Sequence, residues 1–265
     1  MSGPSGIMCT PRLLRRGDWT GAAANAIKQS SRNKPPGLDE DDLQPGMDGE
    51  RLALDVTRYW GVEGVHLTVG FIDTPDTELR RRILSHFNAW GTAANVQFVE
   101  SQIEPRVRVA RWTAQEAPGQ DGYWSNLGTD VLAIRADRPT MNLEAFTMRT
   151  ADSEFHRVVR HEAGHTLGFP HEHMRQGIVA RLDRERVIRE FMRTQGWTRQ
   201  EVVDQVLTPL EESTLLGTPT AESDSIMCYQ ISGDLTLDGK PIVGGTDITP
   251  TDYAFAAEVY PKPPR

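Results

Sequence analysis

Val65, Leu67, Val69 and Phe71 alternate with His66, Thr68 and Gly70, and this period of two predicts a strand over 65–72 with one face in a core. The period then changes. Leu79, Ile83, Phe87 and Trp90 recur at helical spacing, which predicts a helix over 77–93 led in by Pro75 and Asp76. Strands are expected at 95–100 and 106–112, a short one at 130–135, and an edge strand at 143–148 beside a substrate cleft. A helix should start near Ser153, with Asp152 or Ser153 as cap and Glu154 in its first turn. Further on, Val187, Ile188, Phe191 and Met192 give 184–195 one apolar helical face, and Thr198 can cap a helix reaching Val206. Residues 207–219 read as irregular, 242–249 as glycine-broken loop, and 251–259 as a last helix.

Residues 1–50 differ from the rest. Glycine and proline punctuate the start, 19–29 can form one short helix, and 30–37 reads as a linker. The charge then reverses from Arg32 and Lys34 to the acidic run Asp39, Glu40, Asp41 and Asp42. This is an extension or a pro-segment without a core of its own. Residues 51–265 form the main domain, an upper lobe to about 170 and a lower lobe from about 171, with an α+β fold of mixed upper sheet and irregular lower part.

A chain of 265 residues can bury one substantial core or two lobes. The formal net charge of −8 gives no electrostatic support for a nucleic-acid partner. No apolar run is long enough for a transmembrane helix. The first twenty residues carry arginines without the apolar run of a signal peptide, so the expectation is a cytoplasmic chain, export by another route, or secretion if a leader has been omitted. A monomer is expected. The two cysteines, Cys9 and Cys228, make a disulfide framework unimportant.

The candidate chemistry lies in His161-Glu162-Ala163-Gly164-His165-Thr166-Leu167-Gly168-Phe169-Pro170-His171. On a helix, His161 and His165 share a face. Gly168 can take a positive φ that ends the helix and turns His171 back toward the same point. Three imidazoles and one open position describe a catalytic zinc site, with one ion per chain. Glu162 is placed to accept the proton of an attacking water rather than to ligate. His173, two residues further on, is expected to face solvent or a carboxylate.

A second segment, Ser225-Ile226-Met227-Cys228-Tyr229, completes a resemblance to the metzincin zinc metallopeptidases, whose HExxHxxGxxH motif is followed by a methionine turn beneath the metal. Glutamate after the third histidine and arginine three residues later, Glu172 and Arg175, make the chain look like the astacin family in particular. The resemblance implies a two-lobed fold with a five-stranded upper sheet. It implies structural roles for Met227 and Gly168, and a Tyr229 that approaches the metal as an additional ligand and stabilises the oxyanion. In that family the glutamate matching Glu172 pairs with a mature N-terminus; here the open partners are Arg175, another basic side chain, or the N-terminus of a processed form. The family's two disulfides have no counterpart in this chain.

The function expected is a zinc endopeptidase acting on internal bonds of peptide or protein substrates. The alternatives are a hydrolase restricted to cell-wall or small-peptide amides, and a non-catalytic metal-stabilised peptide-binding protein. For the extension, three readings stay open: a tail that never touches the site, a block by the Cys9 thiol, or a block by the acidic run at 39–42.

Overall fold

A computed structural model describes Cys9, Arg12, Leu14 and residues 16–35, 56–210 and 222–264. The upper lobe is built on β1 (Val65–Phe71), β2 (Val96–Glu100), β3 (Val107–Ala110), β4 (Tyr123–Ser125) and β5 (Met141–Leu143). Their order in the sheet is β2-β1-β3-β5-β4. The first four in that order run parallel, and β4 lies antiparallel on β5 with Ser125 opposite Met141. Two of the expected strands therefore need correction. Residue 143 ends an interior strand, and the edge beside the cleft is β4. Leu143, Phe146 and Met148 do not continue β5, because Ala145 turns with φ 54° and Phe146 folds into the core between Tyr123 and Phe155. The expected strand at 130–135 is instead a 3₁₀ turn, Gly128–Ala133, where Asp130 is drawn into a buried pair with Arg58 at 2.6 Å.

Helix α2 (Thr77–Phe87) begins where Asp76 accepts from the Leu79 amide at 2.9 Å, satisfying one orphan donor of its first turn. Leu79, Ile83 and Phe87 form its buried stripe, and Trp90 follows in a 3₁₀ turn, Asn88–Thr92. This stripe packs with the sheet and with Phe155, Val158, Val159 and Ala163 of the next helix in one core. That next helix, α3, runs as Asp152–Glu154, a wide π segment Phe155–Val159, and Arg160–Thr166. No side-chain cap closes its start, contrary to the expectation for Asp152 or Ser153; the Asp152 carboxylate is engaged by Arg82 instead.

The lower lobe has a second apolar cluster. It holds α4 (Arg184–Gln195), capped by Asp183 and ended by Gly196 at φ 69°, and α5 (Arg199–Val202), which opens with a Thr198/Glu201 capping box. The chain closes with α6 (Pro250–Val259), capped by Thr249 and returned to the upper core.

The extension is tied to the main domain where it is described. Helix α1 (Trp19–Gln29) buries Ala22, Ala23 and Ala26 and packs on the 128–133 turn. The buried Asn33 side chain donates to the Ala26 and Tyr59 carbonyls and accepts from the Tyr59 amide. Further toward the N-terminus, Cys9 bridges to Tyr123 in parallel, and the Arg12 amide donates to the Ser125 carbonyl at 3.1 Å. Cys9 and Arg12 thus lie along the outer edge of β4. The acidic run at 39–42 and most of 207–219 lie outside the described residues.

Candidate metal centre

Helix α3 presents His161 and His165 one turn apart on a buried face. Their Nδ1 atoms each meet a carbonyl, Ile226 at 2.7 Å and Phe169 at 2.8 Å, and a carbonyl can only accept. The proton is therefore on Nδ1 in both rings, and both Nε2 lone pairs face inward. They lie 3.2 and 3.0 Å from Nε2 of His171. Gly168 brings His171 there as expected, with φ 94° at the helix end. Around it the last carbonyls of α3 find partners: Trp60 donates to Thr166 at 2.8 Å and Tyr260 to Leu167 at 2.5 Å.

Burial lowers the pKa of His161 to about 4 and holds those of His165 and His171 well below the ordinary imidazole range, so all three are neutral at pH 7. A proton on Nε2 of His171 can serve only one of the inward lone pairs of His161 and His165 at a time, whereas a cation among the three rings would be met by all of them. Nδ1 of His171 and Oε1 of Glu162 are buried without a hydrogen-bond partner among the described residues, a further sign that protein atoms alone do not complete this site. The thiol of Cys9 joins the three histidines in one buried cluster whose donor atoms all lie within 4.8 Å of each other. Three nitrogens and one sulfur at such separations suit tetrahedral Zn²⁺.

Glu162 is fully buried beside the cluster. Its Oε2 accepts from Ser125 Oγ at 2.6 Å. Burial raises its pKa to about 7, while the Cys9 thiol and the Ser125 hydroxyl act in the opposite sense. No sequence motif marks Ser125; only the fold, by placing β4 against α3, brings it to the glutamate. Cys9 was visible as one of three readings of the extension, yet nothing in its flanking sequence singles it out.

The turn at 225–228 underlies the histidines. Asp252 of α6 accepts from Ser225 Oγ at 2.6 Å and from the Ile226 amide at 3.0 Å, which fixes the carbonyl that orients His161. Met227 sits directly beneath Gly164, where a Cβ would come within 2.5 Å of its sulfur. The Glu172 amide donates to the Met227 carbonyl at 2.9 Å, and Glu172 Oε1 accepts from the Glu222 amide at 3.1 Å. Arg175 is 3.9 Å from that carboxylate, so the expected pairing is present only as a long contact. The Tyr229 hydroxyl donates to the backbone carbonyl of Cys9. His173 departs from expectation: it is wholly buried, bonds Gln205 O at 3.1 Å and stacks on Tyr229 at 3.9 Å, because the lower-lobe helix closes over it. Cys9 and Cys228 are both buried and free.

The parallel sheet with one antiparallel edge strand, the helix carrying two histidines, and the third histidine beyond a glycine turn define a metzincin-type zinc metallopeptidase. Comparison with solved structures narrows this: in fold the chain is astacin-like. One structure of myroilysin superposes with TM-score 0.71 at 28% identity, covering 78% of this chain and 97% of that one. A second structure of myroilysin covers 97% of this chain and 100% of that one, with TM-score 0.56 at 25% identity. High choriolytic enzyme 1, a hatching enzyme zinc-protease from Oryzias latipes, shares the fold with TM-score 0.51 at 16% identity, over 76% of this chain and 92% of that one. No protein-family model matches the chain, and no curated protein matches it.

Proposed function

We propose that this chain is the latent form of a zinc endopeptidase, with His161, His165 and His171 as metal ligands and Cys9 held in the remaining ligand position. The observation that carries the proposal is the meeting of the Cys9 thiol with the three histidines and Glu162 in one buried cluster. Burial and the Glu162 carboxylate push the Cys9 pKa well above its ordinary value, so the protein alone would keep a thiol; a cation in the cluster reverses that preference. Zinc, when bound, supplies Lewis acidity to a water and to the substrate carbonyl.

The chain's own groups would do the rest. Glu162 takes the proton of the attacking water and returns it to the leaving amine, a shuttle suited to a carboxylate whose pKa lies near 7. Ser125 holds that carboxylate through Oε2. The Tyr229 phenol donates to the oxyanion that develops as the carbonyl becomes tetrahedral. An extended substrate would pair with the free edge of β4, which favours main-chain recognition and modest sequence selectivity. In the latent chain that edge is taken at Cys9 and Arg12, so the same stretch would block both the ligand position and the substrate track. Alignment of one myroilysin structure over 97% of this chain, most of the extension included, is consistent with a segment integral to the fold.

The test compares kcat/KM on an unfolded protein substrate for the full chain, Cys9→Ala, a chain starting near Gly49, and Glu162→Gln. The full chain should be nearly inactive, the second and third active, and Glu162→Gln inactive in the short chain while retaining one zinc. Equal kcat/KM for full and shortened chains would remove the latency, and full activity in shortened Glu162→Gln would remove the general base.

A further inference from the structure

A second group of metal-binding side chains lies at the opposite end of α3 from the catalytic cluster. His156 and Asp152 stand one helical turn apart, and His86 projects onto them from α2. Nε2 of His156 is 3.4 Å from one carboxylate oxygen of Asp152, and Nε2 of His86 is 3.8 Å from the other. One donor atom from each residue lies within 4.8 Å of the other two. The two rings meet edge to face, with centroids 5.0 Å apart.

The orientation of His156 is informative. Its Nδ1 is 2.7 Å from Asp247, a carboxylate that can only accept there, so Nδ1 carries a proton and orients Nε2 toward Asp152. A carboxylate behind a histidine, with the far nitrogen turned to a convergence point, is the support that metal-ligating histidines characteristically receive. Asp247 is itself anchored by Arg160 at 2.5 Å. The floor of the group is the buried His86, and its mouth is the largely exposed Asp152, which leaves an entry path from solvent. Burial, then Arg160 and His156, lower the His86 pKa to about 4, which leaves that ring neutral at pH 7.

We infer that His86, Asp152 and His156 form a binding site for a second late first-row divalent cation, Zn²⁺ being the probe of choice. Two imidazoles and one carboxylate suit zinc, with its further positions open to water. Binding has to compete with what the residues already do. Arg82 donates to Asp152 at 3.0 Å, and Arg160 contacts Nδ1 of His86 at a long 3.3 Å, so the cation must take the carboxylate from one arginine and shift the His86 tautomer against the other. Its affinity is therefore lower than that of the three-histidine cluster. The consequence is mechanical: a cation here would staple α2 to the first turns of the helix that carries His161 and His165.

The test is zinc stoichiometry of the full chain by equilibrium dialysis against buffered free Zn²⁺, with elemental analysis. One equivalent is expected at nanomolar free zinc and two at tens of micromolar. Asp152→Asn and His156→Gln, both at solvent-accessible positions, should each keep the first equivalent and lose the second. Thermal unfolding of the one-zinc form gives an independent reading. Raising free zinc to tens of micromolar should raise Tm in the parent and leave it unchanged in both variants. Absence of a second equivalent in the parent, or its persistence in both variants, would overturn the site.

Discussion

Gly168→Ala should cost this protein far more than a methyl group suggests. Gly168 has φ 94°, where an L side chain meets a penalty of about 1–2 kcal/mol. A Cβ built there would lie 2.9 Å from the Arg58 carbonyl oxygen and 3.2 Å from its carbon, backbone atoms that cannot swing aside. Crowding of this kind in a packed interior costs about 1–3 kcal/mol. Loss of glycine's freedom in the unfolded chain offsets roughly 0.4–1 kcal/mol. The net destabilisation is about 1–4.5 kcal/mol, centred near 3, which for a domain of this size lowers Tm by roughly 10 °C at that centre. The Arg58 segment cannot retreat freely, since Arg58 is bound to Asp130 and its carbonyl accepts from the Thr129 amide. Strain should pass forward instead, displacing His171 three residues on and weakening zinc retention. The control is Gly177→Ala, on the short helical turn Gln176–Val179, where a Cβ meets nothing within 4 Å. Its expected effect is a gain of about 0.5–1 kcal/mol from helix propensity. Both variants, loaded with one zinc, would be compared by thermal unfolding and by competition with a chromogenic chelator. A Gly168→Ala protein melting within a degree of its parent, with unchanged zinc affinity, would refute the reasoning.

Tyr229→Phe should lower kcat of the activated enzyme about 10–100-fold with little change in KM or zinc content, whereas a pure KM effect would move the residue to substrate binding. Neutral burial of His86 gives a pH dependence of known sign. The unfolded side chain gains its proton as pH falls through about 6.5, the folded one only near 4, so stability is complete above 6.5 and is lost on acidification between those values. Between pH 6.5 and 5 this amounts to at most about 2 kcal/mol. The urea midpoint of the zinc-loaded chain should accordingly fall from pH 7 to pH 5, and fall less in His86→Gln; equal falls would take His86 out of the explanation.

Elements whose periodicity had local causes were legible in the sequence. Helix 184–195 has its apolar stripe, Asp183 before it and Gly196 after it, and the structure follows those limits. The clustering of the three histidines was legible for the same reason, since i,i+4 spacing on a helix and one glycine turn are local geometry. What escaped depended on long-range pairing. Residues 143–148 alternate like a strand, but the Arg111 carbonyl accepts from the Ala145 amide and Phe146 fills the core, so the chain turns there. Asp130 looked like part of a strand until Arg58, 72 residues away, claimed it. Ser125 carries no signature at all; its importance comes from β4 lying against α3. His173 was misjudged because the lower-lobe segment around Gln205 that covers it is distant in sequence.

Blocking by Cys9, as proposed, would have a consequence in effective concentration. A blocking group on the same chain does not dilute with the enzyme, and a tethered ligand of this kind works at roughly millimolar local concentration. An intrinsic contact of only micromolar strength then suffices to keep all but about one molecule in a thousand closed. On the proposed latency, the stretch carrying Cys9 would be a weak inhibitor once detached, and it would diffuse away when the tether is cut. A single cleavage between the described parts of the extension and the main domain would convert an intramolecular equilibrium into a bimolecular one, and activity would follow from dilution.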